Sequence, residues 1–411
     1  MTPPVDSART RPTPVRWRIL ALLMALCFIS HFNRISMSVA GDERIMEQYK
    51  IAPKQMGIVY SAFLLVYTIF MIPGGFFIDR FGPRTALAVV GLGSAAFCML
   101  TGMVGWMEAS AVWMSLLLVR GVMGLVTTPL HPAAANAVGL WVPESRRSLV
   151  NGLITGAALL GVACTYKAFG SLIGQFEWPK AFMITGLLTA VITFLWLAVT
   201  PRHEKGPRGP EMARWRVLLR NRSVWLLTFS YASIGYFQYL FFYWIHHYFV
   251  KILGMSEEAS RYYAGLPPLT MAICMPIGGW LSDRLPPRAL VPMCGMVLGA
   301  LLLGCGVLAK TPFWIVFWFS LAMGAVGAAE GAFWSTVVEV GRSAGGTAAA
   351  IMNTGGNAGG MLAPYLTPLV SETLGWPVGI GLGGVVCLAG ALCWIGIRSE
   401  RNETGNGADA G

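Results

Sequence analysis

The sequence predicts an all-α membrane protein of twelve transmembrane helices in two pseudo-symmetric six-helix halves. Three observations predict it. Hydrophobic residues make up 55% of the 411 and charged residues only 12%, about half the charged share of a soluble domain. Apolar runs of helix-spanning length recur throughout the chain. A charged loop motif also occurs twice at a constant spacing of 204 residues.

Taken in order, the expected spans are roughly 17–40, 55–78, 85–106, 111–138, 149–173, 180–199, 223–249, 259–282, 288–309, 313–339, 347–370 and 375–397. No small-residue cleavage site follows the first, so it is expected to be a retained helix rather than a signal peptide. Residues 1–16 and 398–411 read as cytoplasmic tails, and 17–199 and 223–397 as the two bundles. Residues 200–222, "TPRHEKGPRGPEMARWRVLLRNR", read as a cytoplasmic linker. A short amphipathic helix near Trp215–Leu219 is expected to lie on the bilayer surface.

Charge fixes the expected orientation. With both termini inside, 20 of the 30 Lys and Arg fall on the inner side and 7 on the outer, giving net charges of +10 and −1. This is the positive-inside bias. The overall +11 is thus topological and does not point to nucleic acid. The eight cysteines lie in apolar segments and imply no disulfide framework. Short loops suggest a bacterial inner membrane, and a monomer is expected.

The repeated motif is "PGGFFIDRFGPR" (73–84) and "IGGWLSDRLPPR" (277–288). The paired glycines allow close helix approach. Asp79, Arg80 and Arg84, with Asp283, Arg284 and Arg288, are read as a conformational latch between the halves. The first copy resembles the signature loop of the major facilitator superfamily, and the twelve-helix plan extends that resemblance along nearly the whole chain. A narrower resemblance is to the anion:cation symporter branch, which includes bacterial sugar-acid transporters. It is carried by "NRISMSVA", "VRGVMGLVTTPLHPAAANAVGLWVPESRRS" and "AAAIMNTGGNAGGMLAPYLTPL". The resemblance implies transport by alternating access, with arginines at the positions of Arg34 and Arg120 serving anion recognition or gating. Proton-coupled members carry acids where this chain has Asn33 and Thr127, so the resemblance leaves proton coupling open.

The residues themselves point the same way. Cys27, His31, Arg34 and Ser38 share one face of the first helix, and Arg120, Gly124, Thr127 and His131 share one face of the fourth. Arg34 lies roughly 9 Å from the outer end of its expected span, Arg120 roughly 14 Å and Lys167 roughly 9 Å. Buried cations are costly in hydrocarbon without an anion or a partner, and a guanidinium suits a carboxylate. Arg34 and Arg120 are therefore read as binding a small organic anion. Lys167 has two open readings, substrate contact or snorkelling to the interface. Tyr67, Gln238, Tyr239, Tyr243, Asn353 and Asn357 are candidates to contact a hydroxylated substrate. Glu330, expected to be the only carboxylate inside a helix, and His31 are candidates for proton coupling or gating. His246 and His247 are expected to be solvated at the outer end of the seventh helix.

The expected function is a secondary transporter of small organic anions such as sugar acids, with no cofactor and with co-transport of a proton or cation unsettled. A multidrug exporter or an organophosphate exchanger of the same fold is the alternative. No motif for a metal site or a phosphate loop suggests an enzyme.

Overall fold

The computed structural model describes residues 14–142, 147–201, 218–285, 289–341 and 345–397. Among them there is no strand, and they make twelve helical passes. The first, α1, is Pro14–Ala40, prolonged through a π turn at Gly41–Ile45 and by Met46–Gln48. Pass α2 is Pro53–Ile69 with its continuation over 71–81, and α3 covers 83–104. Gly82, at φ +79°, separates those two, and Pro83 starts the new helix without needing an amide donor. Pass α4 joins Ala109–Thr127 to Leu130–Trp141. Passes α5 (147–176) and α6 (178–199) part at Glu177, whose φ is +64°.

The second half follows the same plan. Pass α7 is Arg222–His247, prolonged by a π turn at Tyr248–Ile252. Its first turn is capped by Asn221, whose side-chain oxygen accepts from Ser223 N at 2.9 Å. Pass α8 joins Glu257–Ala264 to Leu266–Arg284, and α9 is Leu290–Leu308. Passes α10, α11 and α12 are Pro312–Gly341, Gly345–Leu374 and Trp376–Cys393.

Eight segments are long and apolar enough to cross a membrane by length and composition alone. One of them, Val150–Val199, holds both α5 and α6. Passes α7 and α11 fall outside the eight because their Tyr, His, Asn and Gly lower the mean hydropathy, and α2 because its helix Pro53–Ile69 has only 17 residues. Polar lining lowers mean hydropathy where a helix faces a cavity instead of lipid.

Helices pack mainly within each set of six: α1 on α5, α2 on α4, and α3 on α6, mirrored by α7 on α11, α8 on α10, and α9 on α12. The sets meet along α2–α11 and α5–α8, which exchange under the internal repeat. Close approach is set by glycine. A side chain at Gly235 on α7 would strike the carbonyl of Gly356 on α11, and one at Gly161 on α5 would strike that of Phe28 on α1. The eight cysteines are free thiols.

Two sequence expectations change. Pass α1 does not end at residue 40 but carries Asp42 and Glu43 in helical continuation, so Glu330 is not the only helical carboxylate. Counted from Gln48, Arg34 also lies about 21 Å from the end of the helical run, deeper than expected. Arg288, the side chains of Asp79 and Asp283, and linker residues 202–217 lie outside the described residues. Arg84 does not reach across the halves. Its Nε and Nη2 donate to the carbonyls of Thr200 and Leu197, each at 2.6 Å, closing the last turn of α6. Arg80 and Arg284 lie over their neighbours Phe81 and Trp280, at 5.4 and 4.2 Å from the ring centroids.

Gly235→Val is expected to destabilise the protein by about 1–3 kcal/mol through overpacking. Gly75→Val, where no atom lies within 4 Å, is expected to leave it unchanged. Melting of the two purified variants in detergent checks this.

Candidate functional site

The two arginines of the first half converge but do different work. Arg120, 1% exposed, projects from α4 onto the backbone of α1. Its Nη2 donates to the Arg34 carbonyl at 2.8 Å, and its Nη1 to the Asn33 carbonyl at 3.3 Å and Met123 Sδ at 3.3 Å. The guanidinium thus ties α4 to α1. Arg34, 6% exposed, is held by aromatic faces. Its guanidinium carbon lies 4.7 Å from the Tyr239 ring centroid, 4.9 Å from Phe63 and 5.3 Å from Tyr67. Such contacts favour a cation without using its N–H groups. Nε and Nη2 of Arg34 are buried with no hydrogen-bond partner. Together they form one edge of the fork, the edge that grips a carboxylate in two places.

Around this group, Tyr243 stacks on Tyr60 at 4.8 Å and on Tyr239 at 6.0 Å. Gln238, one residue from Tyr239, is half-buried and makes no hydrogen bond among the described residues. Asn353 on α11 reaches Met71 Sδ on α2 at 3.7 Å, one turn from Tyr67, and Asn357 donates to the Asn353 carbonyl at 2.9 Å. Lys167 does not join the group, for its side chain is exposed on α5. Glu330 is buried in the second half, accepting from the Tyr231 hydroxyl and from Trp334 Nε1, with Oε2 unpartnered.

The neutral Asn33 and Thr127 are packed inward. Asn33 Nδ2 donates to Thr189 Oγ1 on α6 at 2.8 Å, and Thr127 Oγ1 bonds back to the Met123 carbonyl at 2.8 Å. His31 meets His131 instead, with Nε2 atoms 3.4 Å apart.

A second constellation, at the end of the bundle away from the chain termini, joins the halves. Glu43, with its side chain 1% exposed, takes both oxygens to Arg261: Nε at 2.7 Å and Nη2 at 2.6 Å. His246 Nε2 adds a bond to Glu43 at 3.1 Å, and Ser260 Oγ lies 2.7 Å from His246 Nδ1. His247 Nδ1 lies 3.1 Å from Asp42 Oδ1. Ser38 donates to the Phe242 carbonyl at 3.3 Å, and Lys251 reaches Glu47 at 3.3 Å. The expectation of solvated histidines is therefore corrected: His246 and His247 are 1% and 6% exposed, because the prolonged α1 delivers two carboxylates against them.

Sequence reasoning missed this seam, though a signal was present. The 204-residue offset of the loop motif also lays Ser38 over Phe242, Asp42 and Glu43 over His246 and His247, and Glu47 over Lys251. Residues near a two-fold axis meet their own equivalents or the neighbours of these, and here the acids of one half meet the bases of the other one residue off register, Glu43 with His246 and Asp42 with His247.

The fold and the chain's relatives agree. The sequence model of the Major Facilitator Superfamily matches residues 23–345 and 264–410. The chain belongs to the Major Facilitator Superfamily. It is 25% identical to the probable galactarate/D-glucarate transporter GudP of Bacillus subtilis (strain 168), over 94% of this chain and 93% of that one. It is 25% identical to the probable sulfoacetate transporter SauU of Cupriavidus necator, over 93% and 94%. A chloroplastic ascorbate transporter of Arabidopsis thaliana is also 25% identical, over 93% and 74%. In fold, the chain is similar to a bacterial homolog of the human lysosomal transporter Spinster, crystallised inward-facing and unoccupied. The TM-score is 0.78 at 16% identity, over 94% and 97% of the two chains.

Removing one partner of the buried seam leaves an uncompensated charge. Glu43→Gln is expected to cost about 3 kcal/mol. Arg44 and Glu257 pair at 3.0 Å with side chains 40% and 38% exposed, and Arg44→Ala is expected to cost under about 1 kcal/mol. Thermal melting of the two variants separates these outcomes.

Proposed function

We propose that this protein is a secondary transporter of small organic anions, moved by alternating access, with Arg34 gripping the substrate carboxylate. The observation that carries the reading is the unpartnered Nε–Nη2 edge of a buried guanidinium. Leaving a buried charged donor unmade costs more than a typical hydrogen bond contributes. A bidentate carboxylate satisfies both donors at once and brings the opposite charge. Arg120 is not the ligand in this arrangement, since its terminal nitrogens already donate to carbonyls. Its role is to hold the segment of α1 that presents Arg34.

Tyr67 and Tyr239 flank the guanidinium, and Asn353 and Asn357 lie along α11 beside α2. These groups suit a substrate with hydroxyls beside its carboxylate. The names of the relatives, galactarate/D-glucarate, sulfoacetate and ascorbate transporters, support the anion class. An organic cation is disfavoured, because the free charge at the site is positive.

With both termini in the cytoplasm of a bacterium, the Asp42–Glu43–His246–His247–Arg261 seam lies on the outer side and seals it. The arrangement is then inward-facing. The halves 17–199 and 223–397 rock about the site, joined by linker 200–222, and opening outward requires the seam to part. As a transporter the protein performs no covalent chemistry.

The test is the melting temperature of the purified protein against sugar acids, sulfoacetate, organophosphates and lipophilic cations. A ligand at 100 times its dissociation constant adds about 2.7 kcal/mol to the folded state. Stabilisation by a carboxylate, lost in Arg34→Gln, is the expected result. Stabilisation by cations, or by anions equally in the variant, overturns the reading.

A further inference from the structure

The arrangement above leaves one buried titratable cluster unused. The rings of His31 on α1 and His131 on the second segment of α4 stand 5.1 Å apart at 67°, both half-buried. Their Nε2 atoms are 3.4 Å apart, and His31 Nδ1 lies 3.0 Å from the Cys27 carbonyl oxygen. A carbonyl only accepts, so His31 Nδ1 carries a hydrogen and, in the neutral ring, Nε2 is bare. The hydrogen between the rings therefore belongs to His131 Nε2, and His131 Nδ1 is the remaining bare nitrogen. One further proton fits there without breaking either hydrogen bond. A second would set two N–H groups against each other at Nε2, so the pair holds one.

Arg34 stands three residues from His31 on the same face of α1, and its charge bears on both rings. The other titratable groups around it are Cys27 on α1, Tyr67 from α2, Arg120 from α4, and Tyr239 and Tyr243 from α7, the Tyr243 hydroxyl acting directly on the guanidinium. Among the described residues no carboxylate acts on the pair. An added proton is therefore opposed first by the burial of the rings and then by the guanidinium, and an anion at Arg34 removes the second of these.

We propose that the His31–His131 pair is a proton-binding site that loads one proton together with the anion at Arg34, in place of the acids absent at Asn33 and Thr127. The coupling half of this proposal rests on the anion reading of Arg34; the proton site itself does not. Binding is reciprocal: the anion favours the proton as much as the proton favours the anion. The proton offsets one negative charge of the anion, so a monoanion crosses without net charge and a dianion such as D-glucarate or sulfoacetate with one. A lone monoanion entering against an inside-negative potential is opposed by about 2.3 kcal/mol per 100 mV. On the inner side the proton leaves His131 Nδ1 to water and the guanidinium is unmasked again.

The experiment is a pH titration of the full chain in detergent, labelled with ¹⁵N-histidine. The chain has five histidines, and His31→Gln and His131→Gln assign the two signals. The expected result is a single protonation shared by both rings. In Arg34→Gln, with the opposing charge removed and no ligand needed, the pH at which the pair charges is expected to rise by about one unit. Two independent protonations overturn the proton site, and an unchanged value in Arg34→Gln overturns its coupling to the guanidinium. D-glucarate and sulfoacetate are then added as probes. Each is expected to shift the wild-type pair upward but not Arg34→Gln, and to bind wild type at least about fivefold tighter below the transition than above it. His131→Gln is expected to lose that pH dependence. If neither anion shifts the wild type while Arg34→Gln does, the proton site stands and its coupling to an anion falls.

Discussion

Arg120's donation to the backbone of α1 is the interaction on which the site depends. A buried guanidinium must satisfy its donors, and two carbonyls of a neighbouring helix do so without introducing an opposing charge. This fixes α1 against α4 at the turn that carries Arg34. With Arg120 committed to structure, Arg34 is left with aromatic faces around it and one open edge. One guanidinium acts as a brace, and the other is left free for the anion proposed above. Exchanging either for lysine removes the planar fork on which both roles rely.

The inter-half seam obeys a different logic. Helices α1 and α7 meet near the pseudo-two-fold axis, so equivalent positions lie together: Ser38 with Phe242 and Glu47 with Lys251, while Asp42 and Glu43 cross to His247 and His246. A homodimer would place like charges together there. A duplicated chain can diverge, and this one carries acids on one side and bases on the other. Such a seam is strong while dry and weakens as water enters, because its charges are solvated on separation. That property suits the proposed rocking of the halves, in which the contact forms and breaks. Prolonging α1 and α7 through π turns carries the side chains to the meeting point.

Much of the fold was legible in the sequence because a bilayer restricts the alternatives. Backbone polar groups in hydrocarbon must bond within their own segment, so each long apolar run becomes a helix. Gly82–Pro83 and the 204-residue repeat then mark the breaks and the halves. The expected spans and the observed passes differ chiefly at their ends. Helical continuation past residue 40 was hidden because "GDERI" reads as a polar loop when its partners are unknown. Only the opposing histidines and Arg261 make burial of those acids tolerable.

By itself the sequence determined the helical membrane class, the duplication, and the presence of cations where hydrocarbon penalises them, since each follows from local composition and spacing. Roles at the centre were decided by tertiary structure. Helical spacing gave Arg34 and Arg120 the same description, and only the packing of α4 on α1 separates brace from ligand. Spacing likewise left Lys167 between two readings, and the structure leaves it exposed on α5. It placed His31 and His131 on separate stripes, and only helix packing brings them to 3.4 Å. Hydrogen-bond partners a hundred residues away are a property of the assembled bundle, because donors and acceptors act over a few ångströms and no local pattern encodes which distant group will arrive.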